Sequence, residues 1–228
     1  AYPHGLFKVL DRYGPSRSRI APLAIASVES PEQIDAALTL LAQPGAAPLG
    51  GGTDLLPARA QGLTAPEHLV HLASCPDLRG IEDRDGILMI GAAVTLAEAE
   101  AHLSGAALPG DRALTNTLRA IATPQIRNMA TIAGNLCQQN RCWFLRSGMD
   151  CYKRGGAGRP CYAVTGDHRY FHAITDAGRC QSVTPSDLAT MLTALDAEVI
   201  IRGREGERIL SAETFHTGPG ETALRPGE

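Results

Sequence analysis

Four of the six cysteines fall within 25 residues, and this density is the clearest sign of chemistry in the chain. They are spaced C-x4-C-x8-C-x9-C, at Cys137, Cys142, Cys151 and Cys161. Four-cysteine zinc sites usually contain two short C-x2-4-C knuckles, and only the first pair comes near that spacing. A 4Fe–4S cluster also takes four thiolates and tolerates varied intervals. The spacing leaves zinc and iron–sulfur open, and a disulfide framework is less favoured because nothing marks secretion.

The remaining cysteines and two nearby histidines are assigned structural roles. Cys75 is remote from the cluster of cysteines, and Cys180 lies outside the four-cysteine block. Both are interpreted as ordinary thiols, with Cys180 as the only substitute ligand. For His168 and His172, local hydrogen bonding is favoured over metal ligation.

Two glycine-containing turns could hold a phosphate group. Gly50-Gly51-Gly52 precedes Thr53 and Asp54, and successive backbone N–H groups in such a run can converge on an anion. Neither the G-x-G-x-x-G fingerprint nor the Walker pattern is present. The second turn is Ala133-Gly134-Asn135. Each pattern alone is common in plain turns, so their order along the chain carries the information.

Short strands and helices must position these residues. The first 20 residues lack periodicity and are interpreted as an irregular arm. Strands are predicted at 23–28, from Pro48 into the glycine turn, at 67–72, at 86–91, and as a hairpin at 197–202 and 208–210. Helices are predicted from Ser30-Pro31 to Ala42, from Thr95 with Glu98 in a capping box, over 111–122, and from Thr184-Pro185-Ser186-Asp187 to Leu195. This mixture predicts an α+β or α/β fold.

Composition excludes several classes of protein. The 228 residues are 44% apolar and 20% charged, with net charge −3 and pI near 6.2. These values are typical of one large or two small globular domains and argue against nucleic-acid binding. No apolar run approaches the roughly 18–20 residues of a membrane span. No signal-peptide pattern is found, so the cytoplasm is expected, with export on a partner's signal to the periplasm as the alternative.

The motifs, taken together, resemble a known family. They are LGGGTDLL at 49–56, ATPQIRNMATIAGNL at 122–136, PSDL at 185–188, and the glycine- and proline-containing end at 218–227. In this order they resemble the FAD-binding medium subunit of the molybdenum hydroxylases, the xanthine dehydrogenase family. The cysteine block is similar to the insertion of 4-hydroxybenzoyl-CoA reductase and periplasmic-type aldehyde oxidoreductases, which binds a 4Fe–4S cluster.

The resemblance implies a fold and its division into domains. The fold class is α+β, a FAD-binding fold of the vanillyl-alcohol-oxidase/PCMH type with two α/β subdomains and an inserted cysteine loop at about 137–180. Residues 1–215 would form the FAD-binding domain. Residues 216–228 would begin a junction to a C-terminal domain that this chain lacks.

The resemblance also implies cofactor residues. FAD would contact Leu49, Gly50, Gly51, Gly52, Thr53, Asp54, Leu55, Ile121, Ala122, Thr131, Ala133, Gly134, Asn135 and Asp187. Asp187 would bind the sugar-like part of the flavin, with helix capping as the alternative, and Ile121 and Ala122 would lie beside the ring system, with core packing as the alternative. Gly51→Val would put a side chain where phosphate must lie. The 4Fe–4S ligands would be Cys137, Cys142, Cys151 and Cys161.

The implied function is electron transfer within a larger oxidoreductase. A molybdenum-cofactor large subunit would carry the substrate chemistry, and a 2Fe–2S small subunit would connect it to this chain in a hetero-oligomer. The sequence itself shows no acid–base pair or nucleophilic triad for substrate chemistry. The alternatives are a zinc-stabilised anion-binding module and a self-contained flavin oxidase.

Overall fold

The computed structural model describes residues 24–105 and 109–228, in which helices and strands are mixed. The predicted arm at residues 1–20 lies outside this part. The strands are β1 (Ser27–Glu29), β2 (Ala46–Leu49), β3 (His68–His71), β4 (Ile81–Arg84), β5 (Ile87–Ile90), β6 (Glu198–Gly203), β7 (Gly206–Ser211), β8 (His216–Gly218) and β9 (Glu221–Thr222). The helices are α1 (Ile34–Leu41), α2 (Leu55–Ala60), α3 (Leu96–Leu103), α4 (Pro109–Ala120), α5 (Pro124–Arg127), α6 (Ile132–Leu136), α7 (Trp143–Arg146), α8 (Tyr152–Gly155), α9 (Asp187–Ala194) and α10 (Ala212–Phe215).

A three-stranded parallel sheet in the order β1–β3–β2 forms the first layer. Leu69, at its centre, pairs with Val28 on one side and Ala47 on the other. Parallel neighbours need a long crossover, and α2 lies in the one between β2 and β3. The glycine turn therefore begins at the carboxyl end of β2, the edge of a parallel sheet where ligands usually bind.

The main hydrophobic core is formed by elements other than this sheet. It packs α3, α4 and α9 against the antiparallel β6–β7 hairpin and α10. Leu96, Leu118 and Leu188 are each at most 1% exposed, and burial of such a side chain contributes roughly 1.5–3 kcal/mol. Ile132 and Leu136 of α6 belong to the same core. The second glycine turn is therefore attached to this core, whereas the first is attached to the sheet.

The cysteine segment, residues 137–182, has a small hydrophobic cluster of its own. Apart from the single turns α7 and α8, its backbone is irregular. Its buried members are Cys142, Trp143, Phe144, Leu145, Met149, Cys151 and Ala163. The segment is therefore held by its own packing rather than by regular secondary structure.

Several local signals are confirmed. The Thr95 hydroxyl accepts from the Glu98 N–H at 3.1 Å and the Glu98 carboxylate accepts from the Thr95 N–H at 2.8 Å, which is the predicted capping box at α3. The predicted hairpin is formed by β6 and β7.

Other predicted boundaries of helices and strands are wrong. Helix α1 begins at Ile34 instead of Ser30-Pro31, and its N-cap, Gln33, makes no side-chain capping bond. The first strand is confined to Ser27–Glu29. Strand β4, with sequence IEDR, is missed by the sequence analysis because three of its four residues are exposed and polar, which leaves no alternating apolar pattern.

Candidate functional site

The structure brings the two glycine turns together. A Cβ placed on Gly51 would lie 1.5 Å from the Met129 carbonyl oxygen, and one on Gly50 would lie 2.7 Å from Thr131 Oγ1. Both separations are far below van der Waals contact. The backbone of the first turn therefore lies directly on the residues that lead into the second turn, with no room for side chains between them.

The first turn has a row of free backbone donors. The N–H groups of Gly51, Gly52, Thr53 and Asp54 donate no hydrogen bond to any described residue. Gly52 has φ +72°, a left-handed conformation that favours glycine. Leu49 ends β2 before this turn, and Leu55 begins α2 after it. Four consecutive free N–H groups can donate hydrogen bonds to an anion such as a phosphate.

The backbone N–H groups of the second turn already have acceptors within the protein. The Ala133 N–H donates to the Ala92 carbonyl at 3.0 Å, the Gly134 N–H to Thr131 Oγ1 at 3.1 Å, and the Asn135 N–H to the Thr131 carbonyl at 2.9 Å. Asn135 Oδ1 accepts from the buried Ser186 hydroxyl at 2.7 Å. These N–H groups are therefore not available to a ligand, and the second turn supports the first one by packing.

Asp54 turns its carboxylate toward the cysteine segment. Its oxygens accept from the Gln139 N–H at 2.7 Å, Arg146 Nη2 at 2.9 Å and Arg141 Nη1 at 2.8 Å. Arg146 also donates to Gln61 Oε1 and to the carbonyls of Gln139 and Asn140. The Asp54 carboxylate therefore joins the first turn to the cysteine segment, a pairing that sequence separations of 85 to 92 residues hide.

The remaining predicted flavin residues have mixed positions. Ile121 is 7% exposed and belongs to the main core, as its alternative interpretation supposed. Ala122 is exposed with φ +49°, which is strained for a residue with a Cβ. Asp187 is exposed, and because Ser186 Oγ accepts from the Ala189 N–H at 3.0 Å, the helix cap is Ser186 and not Asp187.

Four cysteines line one enclosed cavity, but they are not the four that spacing suggested. Cys142, Cys151, Cys161 and Cys180 share the lining with apolar side chains such as Phe144. Cys137 is exposed and does not line the cavity. The cavity volume is about 10 Å³, room for about one water molecule. Within residues 24–105 and 109–228, no three His, Cys, Asp or Glu side chains are close enough to hold a single metal ion.

Two polar side chains touch sulfur atoms at this cavity. His172 Nε2 lies 3.1 Å from Cys142 Sγ, and Ser182 Oγ lies 3.3 Å from Cys180 Sγ. Burial raises the pKa of the Cys142 thiol to about 11. His168 makes the local hydrogen bond expected of it, to the Gly166 carbonyl at 3.0 Å, whereas the contact of His172 spans 30 residues of sequence. Ser182 is not among the site residues predicted from the sequence, since an isolated serine gives no spacing signal.

Comparison with known proteins gives the family. Residues 23–228 match the family model described as the FAD binding domain in molybdopterin dehydrogenase. The chain therefore belongs to this family of FAD-binding domains. No helix among the described residues has both the length and the apolar character needed to cross a membrane.

Individual relatives agree with the family. The chain is 37% identical over 204 residues to the aldehyde oxidoreductase FAD-binding subunit PaoB of Escherichia coli (strain K12), covering 85% of this chain and 62% of the relative. It is 31% identical to the carbon monoxide dehydrogenase medium chain of Afipia carboxidovorans, covering 87% and 54%. A solved structure of reconstituted CO dehydrogenase from Oligotropha carboxidovorans superimposes with a TM-score of 0.65 at 28% identity, covering 91% of this chain and 57% of that one. The chain thus spans less than two thirds of the length of these relatives.

The contact at Gly51 predicts a loss of stability rather than a selective loss of ligand. In Gly51→Ala the new Cβ meets the Met129 carbonyl, which can move only with its backbone, so unfolding should require at least about 2 kcal/mol less free energy. Chemical denaturation measures this change. Gly158→Ala is the matched control, because a Cβ there meets nothing within 4 Å. Equal stability of the two variants would contradict the packing described. The expectation that valine at this position displaces phosphate is corrected accordingly, since its side chain would meet protein backbone first.

Proposed function

We propose that this chain binds FAD at its first glycine turn, carries a 4Fe–4S cluster at the cysteine cavity, and transfers electrons within a molybdenum hydroxylase-type oxidoreductase. The family supports the flavin, and the cavity supports the cluster. The two sites are physically connected, because Asp54 lies in the flavin turn and its carboxylate holds the first residues of the cysteine segment. The arrangement suits a protein in which two electron carriers must keep a fixed separation.

The first turn fits the pyrophosphate of FAD. Its row of free N–H groups supplies donors for phosphate oxygens, and its glycines let this backbone pack directly on the residues that lead into the second turn. Asp54 does not repel the phosphates, because its charge is compensated by Arg141 and Arg146. Asp187 is exposed and its carboxylate makes no hydrogen bond to a described residue, so it is free to accept from a ligand hydroxyl. Bound FAD exchanges two electrons with one partner and single electrons with iron–sulfur centres.

The cysteine cavity fits a cluster better than a zinc ion. Its lining contains four thiols, the ligand set of an iron–sulfur cluster, together with apolar and aromatic side chains, Lys153 and Ser182. Four-cysteine zinc sites usually contain two short C-x2-4-C knuckles, whereas Cys142, Cys151, Cys161 and Cys180 are separated by 8, 9 and 18 residues. A cluster spreads its thiolates over several irons, so the sulfurs stand further apart. We therefore assign Cys142, Cys151, Cys161 and Cys180 as its ligands, with Cys180 replacing Cys137. The cavity must widen as the cluster is assembled.

The proposed partners are a molybdenum-cofactor large subunit and a 2Fe–2S small subunit in a hetero-oligomer. The relatives carry names of parts, a FAD-binding subunit and a medium chain, which indicates larger assemblies. The two proposed cofactor sites of this chain serve electron transfer and contain no acid–base pair for substrate chemistry. Substrate oxidation or reduction would therefore take place on the large subunit.

The observation that carries the proposal is the row of four free N–H groups joined through Asp54 to a four-thiol cavity. The test is anaerobic purification of the complete protein with its native assembly, followed by quantitation of flavin, iron, labile sulfide and zinc. We expect one FAD and about four irons with four sulfides per chain. One zinc without labile sulfide would overturn the cluster, and absence of flavin would overturn the FAD site. Cys75→Ser is the control, because Cys75 is buried in the separate core beside the parallel sheet and should leave both cofactors in place.

A further inference from the structure

One backbone bridge carries both side chains that touch the sulfurs of the cavity. His172 and Ser182 pair in an isolated antiparallel bridge, next to which the Ala173 N–H donates to the Gln181 carbonyl at 2.8 Å. Both side chains are buried, at 9% and 5% exposure. We call this feature the His172–Ser182 bridge. It presents one polar group to Cys142 and another to Cys180, two cysteines that lie 38 residues apart.

The position of His172 identifies its donor atom. A neutral imidazole has one N–H group, and His172 Nδ1 is buried without a hydrogen-bond partner among the described residues. A proton on Nδ1 would be a buried, unpaired donor, whereas a proton on Nε2 points at Cys142 Sγ, 3.1 Å away. The rings of Trp143 and Phe144, with centroids 5.9 and 6.1 Å from that of the imidazole, hold it in place. We therefore assign the imidazole proton to Nε2, which donates when Cys142 is a thiolate.

Ser182 is oriented by a second buried residue. Asn140 is 0% exposed, and its Nδ2 donates to Ser182 Oγ. An amide nitrogen can only donate, so it occupies a lone pair of the hydroxyl and leaves the hydroxyl proton free. Cys180 Sγ, at 3.3 Å, is the acceptor in reach. The Ser182 hydroxyl therefore points its proton at sulfur.

We propose that His172 and Ser182 are positioning residues that donate hydrogen bonds to the sulfurs of Cys142 and Cys180 and so raise the reduction potential of the cluster. The inference rests on the proposed cluster and its ligands. Reduction adds negative charge that is shared by the thiolate sulfurs, so a donor to sulfur stabilises the reduced form more than the oxidised form. Since the two donors act on different sulfurs, their effects should add.

The experiment is an anaerobic redox titration of the complete, iron-loaded protein, followed by electron paramagnetic resonance. His172→Phe keeps a ring between Trp143 and Phe144 but removes the donor. We expect a fall in midpoint potential equivalent to about a tenfold change in the ratio of reduced to oxidised cluster, about 59 mV for a one-electron couple. His172→Gln keeps an Nε2 donor and should restore most of the potential. Ser182→Ala should shift the potential in the same direction, and Ser182→Thr should restore it.

The control and the outcomes separate this inference from the proposed function. His168→Phe is the matched control, because His168 bonds a backbone carbonyl and no sulfur. A wild-type protein without iron and sulfide would refute the proposed cluster itself. If the wild type is loaded with iron, and His172→Phe and Ser182→Ala have the same midpoint potential as His168→Phe, the inference is overturned while the proposed cluster stands. If the two donor-free variants fail to bind iron, rescue of iron content by His172→Gln and Ser182→Thr supports the positioning role, and failure of that rescue overturns it.

Discussion

Replacement of Cys180 by serine is expected to remove most of the iron, whereas replacement of Cys137 by serine leaves it bound. The reason is position: Cys180 lines the cavity with Cys142, Cys151 and Cys161, and Cys137 is exposed outside it. A serine hydroxyl is a poor substitute for a thiolate in a cluster, which needs soft sulfur ligands. Iron should fall from about four per chain to less than about one in Cys180→Ser, with loss of the broad visible absorption.

Flavin content is the internal control for this comparison. The FAD turn lies on the parallel sheet and the main core, so Cys180→Ser should keep its flavin when it loses iron. The exposed Cys137 side chain at the end of α6 makes its serine variant a mild change, so that variant also controls for the loss of a cysteine in general. Loss of iron from Cys137→Ser with iron retained in Cys180→Ser would restore the ligand set that spacing alone indicated.

The choice between Cys137 and Cys180 shows why sequence spacing stops short of a site. Spacing records neighbours along the chain, and Cys137 is the nearest neighbour of Cys142 among the cysteines. The His172–Ser182 bridge brings a later stretch of the chain back to Cys142, which is 30 residues before His172. That return brings Cys180 to the cavity. A long-range backbone pairing of this kind has no periodic or local signature from which it could be predicted.

Features that depend on local residues were predictable. The capping box at Thr95 and the β6–β7 hairpin each involve residues close in sequence. Strand β4 was not predicted, because its residues are mostly exposed and polar. The predicted start of α1 was wrong, because Ser30 and Pro31 are typical of helix starts, yet the first helical residue is Ile34. The two glycine turns singled out from the sequence lie together, but the free N–H groups belong to one turn, and the N–H groups of the other turn already have acceptors. Which turn donates depends on partners such as Ala92, 41 residues away along the chain.

The connection through Asp54 was hidden from the sequence for the same reason, and it supports the second large prediction. Asp54→Ala should lower the free energy of unfolding by about 3–5 kcal/mol, the usual cost of removing one partner of a buried ion pair. The Asp54 and Arg146 side chains are only 16% and 11% exposed. Without the carboxylate, the guanidinium groups of Arg141 and Arg146 face each other uncompensated, and the Gln139 N–H loses its acceptor. Chemical denaturation measures the loss.

The Asp54 variant should also release both cofactors, because it frees the flavin turn and the start of the cysteine segment together. Flavin and iron content should therefore fall in parallel, unlike in Cys180→Ser, where only iron is lost. Asp150→Ala is the matched control: its ion pair with Arg159, at 2.9 Å, lies in the cysteine segment but is exposed, so its loss should cost less than about 1 kcal/mol. Asp54→Asn keeps one acceptor oxygen and should lie between the two. If Asp54→Ala were as stable as Asp150→Ala and kept both cofactors, the Asp54 carboxylate would not be the group that holds the flavin turn and the cysteine segment together.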